Sequence, residues 1–204
     1  MFDHTIQSPI EANFTGLLYH GYDASFSTVW ASPDRGHSPE VWDRAVGWYS
    51  MALVDLLEFV PPAQELHTTA FAQLRTLAPG LLEQADPVWW LVITQPGREG
   101  NYYESSGAAM FVYSLLKAVR LGFLDDRDGK IVATARAAYA YMLDNWVTNN
   151  GDGTMSWQGT VHVSCCYPVN TLIRTVLTYH RSEAWTRTEA SRYVAFALYA
   201  LILS

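Results

Sequence analysis

The chain has 204 residues, half of them hydrophobic and only 16% charged, with a net charge of -7 at neutral pH. That length supports one domain with a real core, and the charged fraction falls well under the about 25% of a typical soluble domain, so burial is extensive or some surface is made for more protein. The acidic balance argues against nucleic acid and against a basic membrane-surface patch, and an acidic ligand would need a local cation.

Residues 1 to 37, rich in Gly, Pro, Ser and aromatics without a helical period, read as loop, with room for a short hairpin around Gly16 to Tyr22. The first helix is expected within 39 to 59, where Ala45, Tyr49, Ala52, Leu53, Leu56 and Leu57 recur at three-to-four spacing until Pro61-Pro62 stops it. A second is expected over 63 to 84, with a kink or break at Pro79-Gly80. The third spans 105 to 121, after Ser105 and Ser106 as N-cap candidates and before Gly122 as a C-terminal stop. A fourth covers 129 to 147 and a fifth 186 to 203. Between helix pairs lie aromatic connectors, Val88 to Ile93 and Thr154 to Trp157. Helices joined alternately by short and long connections predict an all-α fold and suggest a toroid of helical hairpins with long loops on the functional face; composition alone does not exclude a helical solenoid.

Cys165 and Cys166 are adjacent, so a bridge between them would be strained. No second Cys pair or HExxH spacing suggests zinc. The first residues carry no basic region followed by an apolar run, so no signal peptide is expected and the chain reads as cytoplasmic if translated as given. The apolar stretch from Tyr193 to Leu203 is about half the ~20 residues a membrane span needs, and reads as a buried helix.

The most informative residues are Ser38-Pro39-Glu40-Val41-Trp42-Asp43-Arg44-Ala45-Val46-Gly47-Trp48-Tyr49, preceded by Tyr19-His20-Gly21-Tyr22-Asp23. Arg grips a carboxylate bidentately and Trp offers a flat apolar face to a pyranose, so the set suggests an acidic sugar. These segments, with Asn101-Tyr102-Tyr103-Glu104-Ser105-Ser106-Gly107-Ala108-Ala109-Met110-Phe111 and the run from Lys117 to Gly122, resemble glycoside hydrolase family 105. Its members are unsaturated rhamnogalacturonyl hydrolases, related to the unsaturated glucuronyl hydrolases of family 88. The likeness runs collinearly over about residues 14 to 160.

The resemblance implies a partial (α/α)6 toroid, short hairpins in its loops. Residues 1–204 would form one partial domain, the C-terminal portion of the barrel without its N-terminal half. It implies that His20, Trp42, Arg44 and Trp48 hold an unsaturated uronic ring on a pectin-derived disaccharide, as the substrate partner, by a chemistry that requires no metal or organic cofactor; the charge already speaks against nucleic acid and membrane. The family's catalytic Asp lies in a Met-Trp-x-Asp-Gly-like segment upstream of the Tyr-His motif. No such segment occurs in this sequence, so no catalytic residue is assigned within it.

Read from the residues themselves, duller roles stay open. Trp42 can join a site only if the helix starts after it; with Ser38 as cap and Pro39 as first helical residue, it would be core. A loop histidine such as His20 is commonly structural, and His67, His162 and His180 match nothing. Asp23, Asp43, Asp55 and Glu104 are the carboxylates in aromatic or apolar surroundings. Asp55 should meet Arg44, a backbone donor or a ligand, because burying it unpaired is costly. Glu104 reads as support for the start of the third helix. A degenerate protein that binds carbohydrate without turning it over, and an unrelated all-α scaffold, are the alternatives.

Overall fold

A computed structural model describes residues 1 to 161. The expected helix at 186–203, Cys165 and Cys166 lie outside the described residues. The protein is all-α: α1 (Phe2–Thr5), α2 (Asp43–Phe59), α3 (Glu65–Glu83), α4 (Ser105–Arg120) and α5 (Lys130–Trp146), followed by a hairpin of β1 (Val147–Asn149) and β2 (Met155–Trp157). The four long helices pack in the order α3, α2, α4, α5. Short links join α2 to α3 and α4 to α5, while a long one joins α3 to α4.

Helix α4 is the centre. Every residue from Ser105 to Ala118 is buried, the polar Ser114 and Lys117 included, the condition of a predominantly apolar helix covered on all sides. Gly47 lets α2 approach it: a Cβ there would stand 2.8 Å from Met110 Sδ. At its C-terminus Gly122 adopts φ +74°, its N–H donates to the Val119 carbonyl, and Phe123 N–H donates to that of Ala118. That pairing is the Schellman closure which the sequence places at Gly122.

The first helix begins at Asp43, inside its expected span, with Trp42 as its N-cap residue in extended conformation, so the alternative that makes Pro39 the first helical residue and Trp42 core does not hold. Three expectations are corrected. The cap of α4 is Glu104 rather than Ser105 or Ser106, its side chain accepting from Gly107 N–H. Helix α3 runs unbroken through Pro79, and Gly80 there lets the Thr15–Leu17 segment cross close by, since a Cβ would fall 2.2 Å from the Thr15 carbonyl oxygen. No hairpin closes within 16–22: Leu18 bridges to Ile6 and Tyr22 to His37, because both partners lie outside the local turn.

The long connections build the platform for a site. Residues 41–43 lie antiparallel to 91–93, with Asp43 N–H donating to Leu91 O and Ile93 N–H to Val41 O. The other edge of that segment takes residues 102–104, through Leu91 N–H to Tyr102 O and Glu104 N–H to Trp89 O. Gly159 O then receives Ser105 N–H. Three aromatic connectors thus converge on the N-terminal ends of α2 and α4. No helix among the described residues is long and apolar enough to cross a membrane.

Candidate functional site

Because α2 starts at Asp43, Trp42 sits on the platform rather than in the helix. Its ring packs with Tyr102 against a small apolar cluster of Leu91, Val92 and Val161. His20 stands edge-on to it with ring centroids 6.0 Å apart, and the Arg44 guanidinium carbon lies 5.8 Å from its ring centroid on the α2 side. Three of the four residues singled out from the sequence therefore meet around one indole. Trp48 follows Arg44 by one helical turn of α2 and is half exposed. Further along α2, Met51 enters the core.

His20 Nδ1 lies 2.9 Å from the Glu40 carbonyl oxygen. A carbonyl only accepts, so Nδ1 carries the proton and Nε2 presents a lone pair. Burial lowers the imidazole pKa, with the Glu40 carbonyl pulling the other way, so the ring is neutral at physiological pH. Nε2 is buried without a hydrogen-bond partner, and so is the indole Nε1 of Trp42. One acceptor and one donor are thus left unspent in neighbouring rings.

Arg44 is held tightly. Its side chain is 12% exposed; Nε–H donates to Ser106 Oγ at 2.7 Å, and Nη2 donates to Glu104 Oε1 at 3.0 Å and to the Val161 carbonyl. Glu104, fully buried, also accepts from Gly107 N–H, Val161 N–H and Ser106 Oγ. Burial alone would raise its pKa, but Arg44 and these donors outweigh burial and hold it below the usual carboxylate value.

Asp43 is the opposite case. It is fully buried, its Oδ1 accepts from Arg44 N–H, and Oδ2 has no donor facing it. Burial first, and the neighbouring Glu104 charge second, raise its pKa well above the ordinary value. A proton between the two carboxyls relieves both problems. A raised folded-state pKa means that Asp43's contribution is fully present below its unfolded pKa of about 3.9 and is lost as pH rises through the folded value. Asp43→Asn, which mimics the protonated acid, is expected to gain on the natural chain with rising pH above 4, by up to about 1.4 kcal/mol per unit until the folded pKa is passed. Urea unfolding at a series of pH values measures this; a pH-independent difference would count against it.

Sequence reasoning gave Glu104 only as support for the start of the third helix, and missed both that it is the cap and that it partners Arg44. The legible signal was an acid at the N-cap with a spare oxygen. Asp55 meets neither Arg44 nor a backbone donor: it accepts from Lys117 Nζ and Tyr113 Oη of α4, because about three turns of α2, roughly 16 Å, separate it from Arg44. Asp23 is occupied by its own loop, accepting from Ser25, Ser27 and Thr28. Among the described residues no cluster of His, Cys, Asp and Glu could hold a metal ion.

A row of helical hairpins with aromatic long loops gathered at one end is the architecture of the six-hairpin α/α toroid glycoside hydrolases, in partial form. A glycoside hydrolase of family 105 from C. acetobutylicum ATCC 824 superposes with a TM-score of 0.80 at 30% identity, over 99% of this chain and 54% of that one. A possible family 105 member from Salmonella enterica serovar Paratyphi A gives 0.69 at 18% identity, over 99% and 47%, a likeness of fold. Protein Atu3128 of Agrobacterium fabrum and the 24.9 kDa protein in the picA locus of Rhizobium radiobacter are each 39% identical over 157 residues, 76% of this chain and 67% of theirs. The sequence model of Glycosyl Hydrolase Family 88 matches residues 4–198, and the chain belongs to that family. It spans about half the length of the solved structures it matches.

Proposed function

We propose that this chain supplies the sugar-holding side of an unsaturated uronyl hydrolase acting on pectin-derived disaccharides, with His20, Trp42, Arg44 and Trp48 around the uronic ring. The observation that carries the reading is the set of unspent groups at one indole: an acceptor on His20, a donor on Trp42 and, among the described residues, the Nη1 nitrogen of Arg44. A ring bearing hydroxyls and a carboxylate is complementary to that set, and the exposed Trp48 offers an apolar face to a pyranose.

The reaction is hydration. A general acid protonates C4 of the C4–C5 enol ether, water adds at C5, and the resulting hemiketal opens to release the neighbouring sugar, rhamnose in the expected substrate. In this reading the acid comes from a segment of the barrel that the chain does not hold, and residues 1–204 correspond to the C-terminal portion. The degenerate, binding-only alternative shares the site and differs in turnover.

Calorimetric titration of the chain tests the binding half. The 4,5-unsaturated uronyl-rhamnose disaccharide is expected to bind, and a neutral saturated disaccharide of the same size is not. Equal affinity for both, or none for the first, would refute the assignment.

A further inference from the structure

We propose that Glu104 and Ser106 are positioning residues for Arg44, clamping two of its guanidinium nitrogens so that Nη1 is the edge offered to a substrate carboxylate. This rests on the preceding reading that Arg44 receives the acid group of a uronic sugar.

Capping α4 needs one oxygen of Glu104, and Oε2 provides it through Gly107 N–H at 2.7 Å. Oε1 is surplus to the cap, and it takes Arg44 Nη2 and Val161 N–H, both at 3.0 Å. Ser106 Oγ lies 2.8 Å from each carboxylate oxygen, so its one hydrogen points to Glu104 and its lone pair is left for Arg44 Nε–H. The Val161 carbonyl takes a further bond from Nη2. Nε and Nη2 are therefore spent, while Nη1 donates to none of the described residues. The Trp42 ring beside the guanidinium carbon limits sideways swing.

The clamp also changes what Arg44 contributes. Glu104 compensates its charge, so a free point charge is replaced by a fixed pair of N–H vectors. Recognition then depends on orientation, and orientation on Ser106 and Glu104. The long rotamer-rich side chain has already lost its freedom before ligand arrives, which removes an entropy cost from binding.

The test compares the unsaturated disaccharide with its methyl ester, which keeps shape and loses charge. Dissociation constants are measured with the 204-residue chain, Ser106→Ala and Glu104→Gln. The natural chain is expected to prefer the acid at least tenfold. Ser106→Ala is expected to cut that preference about tenfold while ester affinity changes less than about twofold, and Glu104→Gln to act in the same direction. Parallel loss of acid and ester affinity in Ser106→Ala would mean a purely structural role and overturn the inference, as would an unchanged preference. Those results leave the site reading intact; failure of the natural chain to bind either ligand would remove the reading and the inference together.

Discussion

Glu104→Ala is expected to cost about 3–5 kcal/mol of folding stability, enough to unfold many domains of this size. The substitution strands the buried Arg44 guanidinium, leaves the N–H groups of Gly107 and Val161 without their acceptor, and removes the cap of the central helix. Glu104 is fully buried and only 12% of the Arg44 side chain is exposed, so water compensates these losses little. The contrast is Glu58→Ala. Glu58 pairs with Lys117, but its side chain is 38% exposed and Asp55 remains as a second partner, so about 0–1 kcal/mol is expected. Urea unfolding gives both numbers, and a Glu104→Ala midpoint shift equivalent to under about 1 kcal/mol would contradict the central role given to the pair.

The second large effect concerns turnover. The 204-residue chain alone is expected not to hydrate unsaturated disaccharides at a useful rate, whereas a version extended by a segment carrying the family's upstream Asp is expected to do so. A positioned general acid contributes about 10²–10⁴-fold, and a pocket without the proposed upstream segment also forfeits orientation. None of the chain's candidate carboxylates is poised to substitute. Asp55 is committed to Lys117 and Tyr113, Asp23 to its own loop, and Asp43 and Glu104 are shut away from solvent. Loss of the conjugated double bond's ultraviolet absorbance reports the reaction. Robust turnover by the short chain, abolished by Asp23→Asn, Asp43→Asn or Asp55→Asn, would show that the acid lies within these residues.

The helices were legible because apolar spacing at three to four residues is a local property of the sequence, and α2, α4 and α5 fall within a few residues of their expected bounds. Caps were less so. Ser105 and Ser106 look like better caps than Glu104 by type, but the connector from Trp89 fixes Glu104 in extended conformation and so makes it the last residue before the helix. The grouping of His20, Trp42 and Arg44 was carried by family resemblance and by the start of α2 after Trp42. What the sequence could not disclose was the partner of Arg44. Its acceptors come from residues 60 or more positions away, Glu104, Ser106 and Val161, and only packing of α2 on α4 brings them together. Asp55, on the same helix, was the nearer guess and the wrong one.

The location of the sugar is the claim on which everything else depends, and the indole N–H resonances of the eight tryptophans report it directly. Titrating the labelled chain with the unsaturated disaccharide is expected to move the Trp42 and Trp48 signals together, Trp42 downfield as its unspent N–H finds an acceptor. Trp89, whose N–H is already bonded to the Leu81 carbonyl inside the core, is expected to stay still. Saturable shifts confined to Trp90, Trp146 and Trp157, with Trp42 and Trp48 unmoved, would place the ligand elsewhere and contradict the account.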